Sequence, residues 1–578
     1  MSSVCILLMK KLQKRQISIV AVAVFVVGFV ATGWTMAAVA AKRTVCTITV
    51  NSANEKEAFR RHLPKDDYEF VELLERGRSD WLESACRRQV HCDVLIVSGH
   101  FNGVEFYSDQ VDIDDFLPIQ EMERASCSAS CPGLFSQVKE VYLFGCNSLN
   151  PESIPSVGAE IQKSLERSGQ SPAEAARAAR ALAARHPQSI RDASRRLFVN
   201  VPAIYGFSSV APLGPTAASL IDRYFQSSPG ERIGSGSLNR RLLASFAAHS
   251  MAVVSGLSSS DPAARDRAQA CRFIDARLSA AERIAFIHQL LRRDTAEARV
   301  FLDEIESFVA TLTDSDRQEP PLAVALADVA GDEESRTRFL KFARDVDQPA
   351  VRVRMIGVAQ ALGWLSATDY RGELLALIRD LMAKPSMTTA DVDVVCSMKE
   401  EQKLEGALAE LEASQQSAER IDHAAALACL GSPEHHKLML RALGSPSAEE
   451  MRMAEVYFRH RPISDPQELQ QAAASIAAIA ASDMQARAID ILAHSHLSDV
   501  ESVAVIMRLF PSARSIDVQK AIAGLIIRSD YHAIATPDTV RMLQQSRLKS
   551  SSGEDIIDIV IRRLAAASLA VRVSEDGG

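Results

Sequence analysis

The sequence has no concentrated basic stretch and no long block of like charge. Its formal net charge is −8, and the charged residues are spread through the 578-residue chain. Nucleic-acid-binding proteins normally carry a concentrated basic face, and charged interaction tails need a run of one sign. The charge pattern argues against both classes, and no nucleic-acid partner is expected. The length suggests about two to four domains, and 47% of the residues are hydrophobic, as in soluble globular proteins.

Charge is also missing from the apolar run Ile17–Ala41 near the N-terminus. Four basic residues precede this run and two follow it, a bias that places the N-terminus in the cytoplasm and the rest of the chain outside. Residues 1–41 are therefore predicted to be a transmembrane anchor in the inner membrane or a signal peptide. Ala38-Val39-Ala40 fits a signal-peptide cleavage site. Both alternatives predict an exported chain, either facing the periplasm from the membrane or periplasmic or secreted after cleavage.

Nine of the ten cysteines lie beyond the apolar run. Cys86 and Cys92 form one close pair in sequence, and Cys127 and Cys131 form another, so these four are disulfide candidates in an oxidising compartment. Pairing within each motif or across them stays open. Neither spacing is that of a repeated zinc knuckle or of a Cys-x-x-Cys redox motif, and neither a metal nor a cofactor is predicted. The remaining helical-region cysteines are predicted to be small buried residues: Cys271, Cys396 and Cys429.

Residues 42–230 alternate between strand and helix patterns, which predicts βαβ units in a mostly parallel α/β sheet with flanking helices. The strand patterns include TVCTITV (44–50), CDVLIVSGH (92–100) and VYLFG (141–145). VLIV and VYLF are apolar on both faces, so these strands should lie in the centre of the sheet. Residues 231–260 are predicted to be a linker.

Beyond about residue 260 no strand pattern is convincing. Amphipathic helices follow one another through 261–572, and similar alanine-centred segments recur about every 30 residues. The period predicts a HEAT-like solenoid, and an irregular all-α domain is the alternative. Residues 573–578 are predicted to be a loose tail. Solenoids offer extended concave surfaces, so we expect this region to bind a substrate or a protein partner that the sequence does not identify.

Two motifs lie at the ends of the predicted central strands. IVSGHFNG carries His100, and VYLFGCNS carries Cys146, 46 residues later. Sites in parallel sheets form at the carboxyl ends of central strands, so the two side chains should meet at one edge. Alone, a cysteine at a strand end is usually a small buried residue. Paired with an imidazole within hydrogen-bond reach, it is a nucleophile. Gly99 and Gly145 allow tight turns beside the two residues.

These motifs resemble those of caspase-like cysteine peptidases, the group that includes caspases, legumains, gingipains, separases and CHAT domains. The resemblance covers about residues 44–225 and implies a caspase–hemoglobinase α/β fold. In caspases the histidine precedes the cysteine by about 50 residues. The resemblance implies that His100 is the general acid/base and Cys146 the nucleophile. The amides of Cys146 and of a residue just after His100 would form the oxyanion hole. The family normally has glycine after the histidine, whereas this chain has Phe101.

The resemblance also implies that the loop after the next strand lines the substrate pocket, namely Tyr205, Gly206, Phe207, Ser208 and Ser209. An ordinary exit from a strand is the alternative for this loop. Glu55, Glu57 and Arg60 follow the first strand and are either specificity residues or a solvated helix face.

Two functions follow from these motifs. The first is an exported cysteine endopeptidase that cleaves peptide or protein substrates and is either anchored in the membrane through its N-terminal segment or secreted. The second is a catalytically inactive caspase-like scaffold or sensor in the periplasm, which the Phe101 departure favours.

Overall fold

The computed structural model describes residues 42–576 apart from gaps at 75–81, 109–115, 128–130, 132, 153–156, 168–169, 184–188, 229–232, 259, 276, 294, 402–403, 405–419, 494–499, 530 and 550–555. The predicted anchor or signal peptide, residues 1–41, lies outside the described residues. In the part of the chain that is described, no helix combines the length and apolar character needed to cross a membrane.

A six-stranded sheet forms the core of the N-terminal region, in the order β2-β1-β3-β7-β8-β9. Its first five strands are parallel, and β9 pairs antiparallel with β8. Strands β3, β7 and β8 are buried at every residue, as expected for central strands. The mostly parallel α/β architecture is therefore confirmed. The strands are β1 Arg43–Thr49, β2 Tyr68–Glu72, β3 Val94–Ser98, β4 His100–Phe101, β5 Glu105–Tyr107, β6 Phe116–Pro118, β7 Glu140–Phe144, β8 Ala203–Phe207 and β9 Met251–Val254.

Helices cover both faces of this sheet. One face packs on Phe59 of α1 and on Ile221 and Phe225 of α7. The other face packs on Leu82, Met122 and the helices beside them. Two apolar cores therefore lie on opposite sides of one sheet, as the run of apolar residues on both faces of β3 and β7 requires. The helices of this region are α1 Asn54–His62, α2 Glu83–Arg87, α3 Ile119–Ser126, α4 Val157–Arg167, α5 Pro172–Ala183, α6 Ile190–Leu197, α7 Gly214–Ser227 and α8 Arg240–Ser245.

Two sequence predictions about the chain's segments are wrong. Residues 231–260 are not a linker, because they contain α8 and strand β9, which completes the sheet against β8. With only four residues in MAVV, β9 gives too short a pattern to stand out. The predicted loose tail from residue 573 continues the last helix to Asp576, because no glycine or proline interrupts the sequence before Gly577.

The rest of the described chain is almost entirely helical, and its helices pack mainly on near neighbours in sequence. The HEAT-like type stays a prediction. Short 3₁₀ turns lie at Ala247–His249, Phe510–Ser512 and Tyr531–Ile534. The helices are α9 Ala263–Phe273, α10 Ala280–Arg293, α11 Thr295–Val300, α12 Leu302–Ala310, α13 Asp314–Gln318, α14 Pro320–Ala330, α15 Glu333–Asp345, α16 Pro349–Ala361, α17 Ala367–Met382, α18 Thr389–Glu401, α19 Ile421–Cys429, α20 Pro433–Ala442, α21 Ala448–His460, α22 Pro466–Ala477, α23 Ser482–Ala493, α24 Val500–Met507, α25 Ile516–Arg528, α26 Pro537–Ser546 and α27 Ile556–Asp576.

Eight cysteines form four disulfides: Cys46–Cys92, Cys86–Cys131, Cys127–Cys271 and Cys396–Cys429. All four candidates from the sequence are bonded, and none of them pairs within its own motif. The prediction that Cys271, Cys396 and Cys429 are merely small buried residues is wrong, because the fold brings each within bonding distance of a partner far away in sequence. Four disulfides are typical of an oxidising, exported environment.

Candidate active site

A small cleft opens at the carboxyl edge of the sheet, where β1, β3 and β7 lie side by side. Its volume is about 50 Å³. His100 and Cys146, the two residues singled out in the sequence, both line it, together with Glu55 from the helix after β1. The fold therefore brings the two motifs to one place. The complete lining is Asn51, Ser52, Glu55, Gly99, His100, Phe144, Gly145, Cys146, Ala211, Pro212, Leu213 and Gly214.

Cys146 lies on a sharp turn after β7 and is a free thiol. The next residue, Asn147, has a left-handed backbone with φ 58°, which reverses the chain. The Asn147 N–H donates to the Ser209 carbonyl over 2.7 Å, and the Leu149 N–H donates to the Phe207 carbonyl over 2.9 Å. These bonds fix the turn to the end of β8. Cys127 and Cys131 are bonded elsewhere, so neither forms a disulfide with Cys146.

One backbone amide already faces the thiol. The Ala211 N–H, in the loop after β8, donates to the Cys146 sulfur over 3.4 Å. The thiol is half-buried rather than sealed in the core, so a reagent can reach it.

His100 begins a second, three-stranded sheet instead of ending β3. Its strand β4 pairs antiparallel with β5, and β5 pairs with β6. The His100 ring packs on the Tyr107 ring with 5.5 Å between their centroids. We refer to β4–β6 as the histidine hairpin, because it fixes the position of this imidazole at the edge of the cleft.

Phe101 does not crowd the cleft. Its side chain is 7% exposed and stacks on Phe106, with 4.6 Å between the ring centroids. Both rings lie directly beneath Gly145, since a Cβ at that position would come within 2.8 Å of the Phe101 Cβ and 2.9 Å of the Phe106 ring. Phe101 therefore packs against the cysteine turn instead of entering the cleft. Glycine is needed at position 145 because Phe101 and Phe106 leave no room for a side chain there.

We expect Gly145→Ala to lower the free energy of unfolding by about 1–3 kcal/mol, the usual cost of overpacking. Denaturant-induced unfolding measures this loss. Gly357→Ala in α16 is the matched control, because a Cβ there would meet no atom within 4 Å. Alanine in a helix interior is favoured over glycine by about 0.5–1 kcal/mol, so the control should be neutral or stabilising. Equal changes in the free energy of unfolding of the two variants would contradict the close packing of Phe101 and Phe106 against Gly145.

Two backbone amides near the cysteine turn are those that the sequence predicts for an oxyanion hole, and that role stays a prediction. The Asn102 N–H donates to the Glu105 carbonyl over 3.3 Å, so the 102–105 pair carries a ladder hydrogen bond. Because such pairs alternate in antiparallel sheets, the 101–106 pair carries none, and the Phe101 N–H points away from β5. Among the described residues, the Cys146 N–H donates no backbone hydrogen bond. Amides of this kind can stabilise charge that develops on a substrate oxygen.

Glu55 is the unexpected member of the cleft. Glu57 and Arg60 of the same helix are a surface ion pair, with 3.7 Å between their charged groups, and they fit the solvated-face interpretation. Glu55 does not fit it, because its residue is only 3% exposed and its Oε2 atom has no hydrogen-bond partner among the described residues. Burial raises the pKa of the Glu55 carboxyl, and its own backbone amide and the hydroxyls of Ser52 and Ser98 partly offset that rise.

None of the five predicted pocket residues lines the cleft, and three of them, Tyr205, Gly206 and Phe207, belong to β8 rather than to the loop after it. Tyr205 and Phe207 are fully buried in the apolar core between the sheet and helices α1 and α7. Gly206 packs under the cysteine turn, since a Cβ there would lie 2.7 Å from the Ser148 Oγ. Ser208 and Ser209 hydrogen-bond to Ser250. Their contact with substrate stays a prediction, and the lining comes instead from residues 211–214.

No family model, curated protein or solved structure matches this chain. The caspase-like resemblance therefore depends on the His100 and Cys146 motifs.

Sequence reasoning missed two parts of the cleft. The first is the inward position of Glu55, which follows Ser52 and Asn54 at the start of α1. The signal available was weak, because a glutamate in the first turn of a helix is usually explained by the helix dipole. The second is the segment 211–214, which supplies the lining that the resemblance implied for residues 205–209.

Proposed function

We propose that this protein is an exported cysteine endopeptidase of the caspase-like type, with Cys146 as nucleophile and His100 as general acid/base. The observation that carries the proposal is that the two side chains line one cleft at the ends of neighbouring strands. The resemblance in sequence assigned them the same roles. Because no comparison identifies a family, the assignment depends on this geometry and its chemistry.

The chemistry proceeds in two stages. The Cys146 sulfur attacks the carbonyl carbon of the scissile peptide bond, and the thiol proton passes to the His100 imidazole. The carbonyl oxygen takes the negative charge and is stabilised by the amides of Cys146 and Phe101. His100 then protonates the leaving amine, and the C–N bond breaks to leave a thioester. A water molecule, deprotonated by His100, hydrolyses the thioester and releases the acid product and the free thiol.

Glu55 supplies a preference for substrates with a basic side chain before the scissile bond. Its buried Oε2 atom, in the same cleft as Cys146, has no hydrogen-bond partner within the part of the chain that the structure describes. A lysine or arginine side chain would provide a charged donor for it, and hydrogen bonds between charged groups are the strong ones. The cleft of about 50 Å³ admits only the tip of a side chain, so the loop 211–214 must move outward on binding. Leu213, 67% exposed, leaves little packing that opposes this movement.

The helical region and the N-terminal segment take supporting roles in the proposal. The helical region offers a surface for a substrate or a protein partner. The apolar run Ile17–Ala41 either anchors the protein in the inner membrane or directs its export.

A peptide library that varies the residue before the scissile bond tests the proposal. The assay uses the full chain without reductant, so that the four disulfides stay intact. We expect cleavage after lysine or arginine, and we expect Glu55→Gln to lower kcat/KM for these peptides by about 10- to 100-fold. Peptides with glutamine at that position should change little. The matched control is Glu57→Gln on the solvated face of the same helix, which should leave the whole profile unchanged.

Two results would contradict the proposal. An unchanged profile in Glu55→Gln would exclude Glu55 from the substrate site. The absence of any cleavage by the folded, disulfide-bonded protein would contradict the peptidase itself.

The second candidate is the inactive scaffold or sensor. The observation that favours it is the closed state of the cleft, in which the Ala211 N–H already occupies one side of the Cys146 sulfur. A scaffold would keep this loop closed in the presence of every peptide. Hydrolysis that disappears on removal of Cys146 would exclude it.

A further inference from the structure

The histidine hairpin continues directly into a helix that is bound to the helical region. Strand β6 ends at Pro118 and α3 begins at Ile119, without an intervening loop. The residue after α3, Cys127, forms a disulfide with Cys271 of α9, the first helix of the helical region, and the two Cα atoms are 5.6 Å apart. The strand that carries His100 is therefore joined through β5, β6 and α3 to a covalent crosslink between the two regions.

Arg267 reinforces the same junction from one helical turn before Cys271. Its guanidinium donates to the Ser126 carbonyl over 2.8 Å and to the Ser126 hydroxyl over 2.9 Å. The same side chain donates to the Arg196 carbonyl in α6 over 2.9 Å. Ser126 and Arg196 lie in the last turns of their helices, where carbonyl groups lack intrahelical donors and cations are favoured. One side chain of the helical region thus caps two helices of the α/β region.

Arg196 adds an ion-pair bridge across the junction. Its side chain is 10% exposed and contacts Glu123 of α3 over 3.1 Å and Glu304 of α12 over 3.4 Å. A charged side chain buried to this extent is retained only when it is paired. We call this set of contacts the clasp: Cys127, Cys271, Arg267, Arg196, Glu123 and Glu304.

The segment that follows Cys146 is also held by the helical region. After the cysteine turn the chain enters α4, whose Ile161 and Leu165 belong to the apolar core of the helical region. Arg167, at the end of α4, donates to the Asp345 carbonyl of α15 over 2.7 Å. Both Cys146 and His100 are therefore followed along the chain by a helix that contacts the helical region, α4 after Cys146 and α3 after His100.

We propose that the helical region is a positioning element for the cleft. Through the clasp it sets where the histidine hairpin places His100 relative to Cys146. The effect on rate assumes the proposed function, whereas the mechanical coupling between the clasp and the hairpin does not. Arg267 and the Cys127–Cys271 bond are positioning groups in this proposal, because they reach the reacting atoms only through α3 and the hairpin.

Paired disulfide variants of the full chain test the coupling. Cys127→Ala/Cys271→Ala opens the clasp, and Cys396→Ala/Cys429→Ala removes a disulfide that lies wholly within the helical region. Both are measured well below their unfolding temperatures. We expect the clasp variant alone to raise amide hydrogen exchange in residues 100–107 by at least about tenfold. It should also lower kcat by about 10- to 100-fold with little change in KM, as misplaced catalytic groups do.

Arg267→Gln is a second, milder variant that leaves all disulfides in place, and it should also raise hydrogen exchange in residues 100–107. Arg267→Lys should raise this exchange less, because lysine still donates to the Ser126 carbonyl. Unchanged exchange in residues 100–107 of both Arg267→Gln and the double-cysteine variant would overturn the proposal. If exchange rises as expected but the wild-type protein cleaves no peptide, the coupling stands and the peptidase function fails. If exchange rises and kcat is unchanged, the positioning role is wrong.

Discussion

Cys146→Ala is expected to abolish peptide hydrolysis, with a loss in kcat of at least about 1,000-fold. No other free cysteine lies among the described residues, so no second thiol in the cleft can take over the attack. The substitution should leave the fold intact. Cys146 is in no disulfide, and its sulfur accepts one hydrogen bond, from the Ala211 N–H. Initial rates on a fluorogenic peptide measure the effect.

Thermal unfolding provides the control for Cys146→Ala, since an unchanged melting temperature separates lost chemistry from lost structure. Residual hydrolysis within tenfold of the wild type, in protein purified free of contaminating peptidases, would show that the thiol is not the nucleophile.

His100→Ala is expected to lower kcat by about 100- to 10,000-fold, the usual contribution of a general acid/base. Without the imidazole, the group assigned to take the thiol proton and to protonate the leaving amine is gone, and Glu55 is the remaining acid or base in the lining. The ring also packs on Tyr107, so part of the loss could come from a displaced hairpin. His100→Asn, which fills more of the space without acid/base chemistry, should be as inactive as the alanine variant.

His91→Ala is the matched control for the His100 variants. His91 lies in the same α/β region, is exposed, and hydrogen-bonds the Gly133 carbonyl far from the cleft. It should keep wild-type activity. A His100→Asn variant with wild-type turnover would contradict the assignment of His100 as acid/base.

The sheet and its functional edge could be predicted because they depend on local patterns. VLIV and VYLF are apolar at every position, and only a strand covered on both faces accommodates such a run. Once β3 and β7 are central and parallel, their carboxyl ends must lie at one edge, so the sequence pattern alone predicts that His100 lies near Cys146.

The remaining parts depend on contacts between distant segments, which local patterns do not encode. Nothing in the strand pattern around Cys46 indicates that it forms a disulfide. It does so because β1 lies beside β3, which brings Cys46 to Cys92. Glu55 has the sequence context of a solvated helix, and only the packing of α1 against the sheet turns it inward. Phe101 was an argument against activity while its direction was unknown. The pairing of β4 with β5 directs it beneath Gly145, where it supports the cysteine turn.

The disulfides also decide how activity should be sought. Strong reductants, which are routine in assays of thiol enzymes, would open the Cys127–Cys271 bond next to the histidine hairpin as well as protect Cys146. Activity should therefore be measured under conditions that keep the four disulfides formed.

The most direct measurement is covalent labelling of the non-reduced full chain with a thiol-reactive peptide electrophile that ends in lysine, mapped by mass spectrometry. We predict a single adduct on Cys146, absent in Cys146→Ala and strongly slowed in His100→Ala. Folded protein with its disulfides intact that is never labelled at Cys146, or is labelled equally fast without His100, would contradict a Cys146–His100 catalytic pair.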